Sequence, residues 1–343
     1  MTSSVPAPGA DLLTVDHLSV ALSTARGSHL AVDDISLRVG TGEILGIAGE
    51  SGSGKTMTAL TLLGLLPHGA RTAGSARFDG TELLGCTPKQ MRSIRGREIA
   101  MVSQDPATSL HPILTVERQL TEHMRHHLGV GRSEARTRAI DLLATVRIPD
   151  PEQALGTYPG QFSGGMRQRI AIAVALACEP RLLLADEPTT ALDVTVQAGI
   201  LRLLQRLREE RGLAVVIITH DLGVMSAIAD RVCVMYAGRM AEVGPRADVL
   251  AAPRHPYTRG LLDALPHPEG GAAQLRPIPG SPPSLGRVPG GCPFHPRCPH
   301  AQPSCATDRP VLLQVGAGHQ MACPVDPLRP AGADPDLPVG AAT

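Results

Sequence analysis

The feature that most constrains this chain is the octapeptide GESGSGKT at residues 49–56, which fits the pattern G-x-x-x-x-G-K-[ST]. It follows a predicted strand at residues 43–48 and precedes a predicted helix at residues 56–66. Glycines let the backbone of such a loop wrap so that N–H groups point at phosphate oxygens, and the helix N-terminus adds a favourable dipole. Because the only lysines are Lys55 and Lys89, a lysine in the required slot is informative. The sequence therefore predicts a phosphate-binding loop.

The residues of this octapeptide have separate expected parts in binding a nucleoside triphosphate. Lys55 is expected to reach the β- and γ-phosphates of ATP, and the Thr56 hydroxyl is expected to ligate Mg²⁺. The residues predicted to bind ATP through this loop are Gly49, Glu50, Ser51, Gly52, Ser53, Gly54, Lys55 and Thr56. ATP and Mg²⁺ are therefore the expected ligands.

A second informative segment, RLLLADEPTTALD at residues 181–193, begins with an apolar run that predicts a buried strand. Asp186 ends this run and is predicted to hold Mg²⁺, as the strand-end aspartate of phosphate-loop ATPases does. Glu187 follows at once, and a carboxylate beside the γ-phosphate can polarise an attacking water. The two segments together predict an enzyme that hydrolyses ATP.

The alternation of strands and helices along the chain predicts an α/β fold. Residues 196–212, VQAGILRLLQRLREERG, have one apolar face and end in a glycine, which is typical of an amphipathic helix. Residues 214–220, AVVIITH, are β-branched and almost wholly apolar, as in a parallel strand that is covered on both faces. These elements predict a phosphate-loop ATPase core built around a parallel sheet.

The composition changes after about residue 252, where proline and glycine increase and the periodicity fades. We therefore place a domain boundary there. The predicted regions are a disordered N-terminus at 1–11, a nucleotide-binding domain at 12–252, a C-terminal extension at 253–328 and a disordered tail at 329–343.

Charge and hydropathy argue against several classes of protein. The net charge is zero and there is no basic stripe, so no nucleic-acid partner is expected. The longest apolar run, at residues 170–178, is too short to span a bilayer, and the N-terminus lacks the charged and apolar parts of a signal peptide. We expect a cytosolic chain that reaches a membrane only through a partner.

The segment FSGGMRQR, residues 162–169, resembles the signature motif of the ATP-binding cassette (ABC) ATPases, with Phe162 in place of the usual leucine. The resemblance implies a core with an antiparallel β subdomain and a helical subdomain that carries the signature. In this family the signature of one subunit completes the ATP site of another, so a chain with one phosphate loop must pair with a second cassette, and a heterodimer is expected. The residues expected to contact the partner's ATP are Ser163, Gly164, Gly165 and Gln168.

Other residues match motifs of the same family. Gln104, in MVSQDP, resembles the Q-loop residue that contacts the metal and the attacking water, which implies that it helps to hold Mg²⁺. Asp193 resembles the D-loop aspartate, and His220 resembles the switch histidine near the γ-phosphate. The implied catalytic set is Glu187, His220 and Gln104. The family usually stacks adenine on an aromatic residue; Leu22 occupies that slot here, which implies looser base selectivity.

Three segments point to one branch of the family. GESGSGKT, SQDPATSLHP at residues 103–112 and HPYTRGLLDALP at residues 255–266 resemble the D-type ATPase subunits of oligopeptide/dipeptide importers. The resemblance implies ATP hydrolysis that drives import of di- or oligopeptides or of a similar small solute. The alternative is an ABC-type ATPase of a non-transport assembly in DNA repair or translation.

An importer subunit of this kind implies particular partners. These are a second ABC ATPase subunit, two transmembrane permease subunits and, through the permease, an extracytoplasmic solute-binding protein. The implied location is peripheral, on the cytoplasmic face of the plasma (inner) membrane.

Four cysteines lie in the extension with spacings of five, six and seventeen residues between them: Cys292, Cys298, Cys305 and Cys323. Four thiolates on irregular loops can meet at one metal ion or one cluster. The residues alone leave a [4Fe–4S] cluster, zinc, disulfides and unliganded thiols open. The resemblance implies a [4Fe–4S] cluster, because some members of this importer family carry a four-cysteine [4Fe–4S] site in this extension, with a CPFxPRCP-like sequence. Zn²⁺ is the alternative, and a structural role is the first hypothesis.

Overall fold

The structure is a computed structural model that describes residues 11–24, 27–105, 109–190, 192–265 and 276–329. The predicted disordered termini lie outside these ranges except for their inner residues, Asp11 and Arg329.

The N-terminal part forms an antiparallel sheet in the order β2-β1-β4-β5 within the described residues. Alternate residues of its second strand are buried from Ile35 to Val39, which is the period-two pattern of a sheet with one face on a core. The strands are β1 Asp11–Thr24, β2 Gly27–Gly40, β4 Arg71–Phe78 and β5 Thr81–Glu82.

A second sheet runs through the centre of the described chain in the order β11-β12-β10-β9-β3-β8-β7-β6. The middle strands are parallel, and the three strands at one side add antiparallel pairs. The strands are β3 Ile44–Ala48, β6 Ile99–Val102, β7 Leu182–Asp186, β8 Ala214–Thr219, β9 Arg231–Tyr236, β10 Arg239–Pro245, β11 Leu313–Gly316 and β12 His319–Met321. The predicted α/β class is confirmed.

The central parallel strands are buried on both faces, which explains their unbroken apolar sequences. In β7, Leu183 and Ala185 face one core together with the helices, while Leu182 and Leu184 face a second core beneath the antiparallel sheet. The central sheet therefore lies between two apolar layers, and its carboxyl-end residues emerge together at one edge.

The helices cover the central sheet and form a separate helical layer between β6 and β7. They are α1 Lys55–Leu62, α2 Pro88–Ile94, α3 Val116–Leu128, α4 Arg132–Thr145, α5 Pro151–Leu155, α6 Gly164–Leu176, α7 Val194–Arg211, α8 Leu222–Ile228, α9 Arg246–Ala251 and α10 Pro256–Asp263. Gly212 ends α7 in the left-handed conformation, as its sequence predicts. Short 3₁₀ turns lie at Pro159–Gln161, His295–Arg297 and Pro303–Ala306. Among the described residues we find no helix that combines the length and the apolar character needed to cross a membrane.

The C-terminal extension packs directly on the central sheet. Its last strand, β12, pairs with β10 and so continues the central sheet. A fully buried carboxylate, Glu242 of β10, lies 2.7 Å from the His319 ring of β12 and accepts the backbone N–H of His255. Phe294 contacts the rings of Tyr236 and Tyr257 in an aromatic cluster. The predicted boundary at residue 252 remains a prediction.

Candidate functional site

The phosphate loop joins β3 to α1 through backbone that only glycine adopts readily. Gly49, Gly52 and Gly54 have φ angles of +147°, +80° and +103°. A Cβ on Gly54 would come within 2.8 Å of the backbone oxygen of Ala31 in β2. The loop is therefore pressed against the antiparallel sheet at Gly54, where no side chain fits.

Lys55 stands at the centre of this loop and is buried. Its ammonium donates to the carbonyl oxygens of Gly49, at 2.7 Å, and Glu50, at 2.9 Å. Burial lowers the pKa of Lys55, while the carboxylates of Glu187 and Asp186 oppose that shift. The lysine thus lies between the loop and the acidic strand end, where its ammonium can contact a bound polyphosphate.

Glu187 is the centre of a hydrogen-bonded cluster at the end of β7. It accepts from the Gln104 amide at 3.0 Å and from the Thr190 hydroxyl at 2.8 Å, and its other oxygen lies 3.1 Å from Nδ1 of His220. The structure therefore brings together all three predicted catalytic residues. Glu187 itself has a φ of +47°, a strained conformation of a kind that concentrates at functional sites.

The pKa values of the two neighbouring carboxylates at the strand end shift in opposite directions. Burial raises the pKa of Glu187, but hydrogen bonds from His220 and Thr190 outweigh it, so the net shift is downward and the carboxylate is ionised at neutral pH. Burial raises the pKa of Asp186, opposed by a hydrogen bond from Thr56. Thr56 and Asp186 therefore contact each other and present oxygen atoms, the ligand type that Mg²⁺ prefers.

A cavity of about 340 Å³ opens over this cluster. That volume lies in the range of small-molecule sites in proteins. Its described lining is the loop residues Ser51 to Met57 together with Gln104, Glu187, Leu30, Ala31, Ala237, Gly238, Pro283, Leu285 and Val288. Leu22 is not among these residues; its side chain packs against the core beneath the antiparallel sheet.

The signature residues lie outside this cavity. Ser163 caps α6 by accepting the backbone N–H of Met166, and Gly165 packs so closely on Val196 of α7 that a Cβ would come within 2.8 Å of it. Gln168 is buried, and its amide nitrogen has no hydrogen-bond partner among the described residues. Asp193 caps α7 through the N–H of Val196. None of the predicted signature residues is among the described lining of the nucleotide cavity.

The structure adds contacts to the phosphate loop that the sequence did not predict. Arg297, in the extension, makes a bidentate ion pair with Glu50, with N–O distances of 2.6 and 3.0 Å. It also donates to the hydroxyl of Tyr236 at 3.2 Å and to the carbonyl of Pro279 at 2.8 Å. The Tyr257 hydroxyl accepts the N–H of Glu50 at 2.9 Å. In the sequence, Tyr257 lies in the HPYT segment and Arg297 in the PRCP segment. The resemblance of these segments to other chains did not predict their contacts with the phosphate loop.

The four cysteines of the extension line one small cavity, beside His255, Phe294 and His295. Burial raises the pKa of Cys292 and of Cys323, and it raises the pKa of Cys298 to about 11; neighbouring cysteines add to each shift. Across the described ranges, however, no three or more His, Cys, Asp or Glu side chains are arranged to hold a metal ion. The predicted gathering of the thiols at one place is present, and a ligand set around a metal is not.

Comparisons with known proteins bear on the chemistry of this site. Residues 32–190 match the ABC transporter family, and residues 241–305 match the family described as oligopeptide/dipeptide transporter, C-terminal region. The chain is 47% identical over 328 residues to the oligopeptide transport ATP-binding protein OppD of Salmonella typhimurium, covering 95% of this chain and 98% of that protein. It is 48% identical over 314 residues to the dipeptide transport ATP-binding protein DppD of Bacillus subtilis, covering 91% and 94%.

The fold also resembles a solved structure, a dimeric post-hydrolysis state of the ATP-binding cassette MJ0796 bound to ADP and Pi. The two chains are 27% identical with a TM-score of 0.62, over 68% of this chain and 98% of that one. This likeness confirms the predicted architecture of the ATPase core.

Proposed function

Since this chain belongs to the ATP-binding subunits of the oligopeptide/dipeptide ABC transporters, we propose that it hydrolyses ATP to drive import of di- or oligopeptides or of a similar small solute. Two relatives of nearly full length carry peptide transport in their names, which supports that solute class. The alternative, an ATPase of DNA repair or translation, is not favoured by any of these relatives.

The observation that carries the catalytic proposal is the cluster around Glu187. An ionised carboxylate that is held by Gln104 and His220, beside the phosphate-loop lysine, can accept a proton from a water that attacks the γ-phosphate. His220 orients one oxygen of that carboxylate from the end of β8, and the amide nitrogen of Gln104 donates to the other oxygen. The bond that breaks is the one between the γ-phosphorus and the bridging oxygen, and ADP leaves with that oxygen.

The loop residues 49–56 would hold the phosphates, with Lys55 against the β- and γ-phosphates. Mg²⁺ would be held by Thr56, Asp186 and Gln104, and it would neutralise charge that develops on the phosphates. The fit rests on the contact between the Thr56 hydroxyl and the Asp186 carboxylate beside the loop. The Gln104 amide completes an all-oxygen donor set when its oxygen faces the site.

The position of the signature supports a paired state of the ATPase. Ser163, Gly164 and Gly165 lie outside the described lining of the chain's own cavity, where they can face a nucleotide on a second cassette, whereas Gln168 is buried and would have to become exposed to do so. Asp193, which caps the start of α7, is proposed to act at the same interface. The proposed assembly is a heterodimer of cassettes on two permease subunits, served by an extracytoplasmic solute-binding protein. The chain would lie peripherally on the cytoplasmic face of the membrane.

The four-cysteine region is proposed to hold a [4Fe–4S] cluster, with Zn²⁺ as the alternative. The support is that Cys292, Cys298, Cys305 and Cys323 line one cavity and that each of the three thiols with a shifted pKa is affected by its neighbours. A bound cation would relieve the repulsion that arises when such thiols ionise. Anaerobic purification followed by an absorbance spectrum and iron and zinc analysis tests this. A protein free of both metals after reconstitution would exclude both alternatives.

Replacement of Glu187 tests the catalytic proposal. We expect Glu187→Gln to lower kcat by at least about 100-fold, because the general base is lost, while ATP still binds. Turnover is measured by phosphate release and binding with a fluorescent ATP analogue. The matched control is Glu210→Gln, an exposed glutamate at the end of α7, which should leave both values unchanged. Normal turnover in Glu187→Gln would refute the assignment of the base.

Reconstitution distinguishes the importer from the alternative. ATPase activity of the full complex in vesicles should rise when a peptide-loaded binding protein is added. Stimulation by DNA or RNA in place of peptide would favour the alternative.

A further inference from the structure

The apolar end of the nucleotide cavity is built by two parts of the chain that lie far apart in sequence. Leu30 comes from β2 in the antiparallel sheet, and Leu285 and Val288 come from the C-terminal extension. Each is a large apolar side chain with substantial exposure, at 46%, 43% and 38%. All three line the same cavity as the phosphate loop.

A glycine of the extension lies close to a side chain of β2. Gly286, between the two apolar residues, has a φ of +81°, and a Cβ there would come within 2.9 Å of the His29 ring. Arg287 donates its N–H to the carbonyl of Ser284 at 2.9 Å, which closes a tight turn. The turn therefore presents Leu285 and Val288 on either side of a glycine that lies directly on β2.

The lining of the cavity combines two chemistries. Lys55, Gln104 and Glu187 form a polar cluster, which suits phosphates and a metal. Leu30, Leu285 and Val288, with Pro283, contribute apolar side chains. A nucleoside triphosphate combines the same two chemistries, with charged phosphates at one end and a flat base with apolar faces at the other.

We propose that Leu285 and Val288 of the extension, together with Leu30, clamp the adenine base of the ATP that is bound to the chain's own phosphate loop. The inference rests on the proposed function and deepens it, because it assigns the base-binding wall to the C-terminal extension. Branched aliphatic side chains cover the faces of a base by apolar contact and make no hydrogen bond to its edge. The clamp thus favours a purine ring and discriminates weakly between adenine and guanine.

Base-binding by the extension predicts a specific kinetic pattern for Leu285→Ser and Val288→Ser in the full chain. Each should raise the KM for ATP about three- to tenfold, as expected for the loss of partly buried aliphatic surface, and change kcat less than about twofold. Leu285→Met should behave as the native chain. Val311→Ser is the matched control, because Val311 is an exposed aliphatic residue of the same extension that does not line the nucleotide cavity.

Tripolyphosphate with Mg²⁺, which lacks a base, separates a clamp from an indirect structural effect. Leu285→Ser should bind this probe as tightly as the native chain does, by competition against a fluorescent ATP analogue. Equal weakening of ATP and tripolyphosphate would overturn the proposal, since the change would then act through the phosphate loop.

Leu22→Ser compares the proposed clamp with the slot implied by the family resemblance. We expect an unchanged KM for ATP in this variant, with folding checked by circular dichroism. A raised KM in Leu22→Ser beside a native value in Leu285→Ser would place the base on β1 and overturn the proposal. Absence of ATP hydrolysis in the native chain would instead count against the proposed function, so the two failures are distinguishable.

Discussion

The ion pair between Arg297 and Glu50 is the most direct link between the cysteine-rich extension and the phosphate loop, and Arg297→Met tests what it does. The side chain of Arg297 is 6% exposed and that of Glu50 is 25% exposed. Methionine keeps much of the length and apolar volume of arginine and removes the guanidinium. The variant therefore leaves the Glu50 carboxylate unpaired at the base of the loop.

The expected magnitude follows from this burial. Removal of one partner of a buried ion pair costs about 3–5 kcal/mol, mostly because the other charge is left without compensation. Since water reaches a quarter of the Glu50 side chain, we expect a loss of unfolding free energy at the lower end, about 3 kcal/mol. The unpaired carboxylate should also repel a bound triphosphate and weaken ATP binding. In Glu50→Gln/Arg297→Met, where that charge is gone, affinity should recover in part.

The assay is urea unfolding followed by circular dichroism, since the chain has no tryptophan, beside titration with a fluorescent ATP analogue. Arg297→Met, Glu50→Gln and the double variant form a cycle that isolates the coupling between the two residues. Arg254→Met is the control, because Arg254 pairs with Asp326 in a similarly buried site and its side-chain hydrogen bonds within the described residues go to Asp326 and Val315. It should lose stability and keep its affinity for ATP. A stability loss below about 1 kcal/mol in Arg297→Met, with native ATP binding, would refute the reasoning.

Two further predictions follow from geometry and burial. Gly54→Ala should abolish ATP binding, because its φ of +103° is strained for alanine and the new Cβ would lie 2.8 Å from the Ala31 oxygen; Gly131→Ala, at a negative φ with open space around it, is the control. Burial lowers the pKa of His255 from 6.5 to about 4, so the unfolded chain binds a proton there first as pH falls. The stability contributed by neutral His255 is complete above pH 6.5 and decreases towards pH 4 by up to about 3 kcal/mol. His255→Asn should flatten that part of the pH profile of urea unfolding, and an unchanged slope would contradict the assignment.

Much of the site was predictable from sequence because its parts are local motifs. GESGSGKT fixes the loop through glycines whose backbone angles other residues do not adopt readily, and the LLLAD run predicts a buried strand that ends in Asp186. Glu187 was assigned from its place after the strand-end Asp186, and Gln104 and His220 were assigned by resemblance. The parallel sheet brings the three together because the carboxyl ends of β6, β7 and β8 share one edge. Leu22 was assigned to the base from its place in an early strand, and a strand position does not show which way a side chain packs.

The sequence by itself determined the α/β core, the phosphate loop, the acidic strand end and the collection of four cysteines in one extension, since each follows from local pattern or composition. The tertiary structure decided which distant segments meet. Arg297 pairs with Glu50, and Leu285, Val288 and Leu30 line one cavity, because the extension packs back on the core, where β12 pairs with β10. Such contacts depend on the path of the whole chain and leave no periodic or spacing signal in either segment.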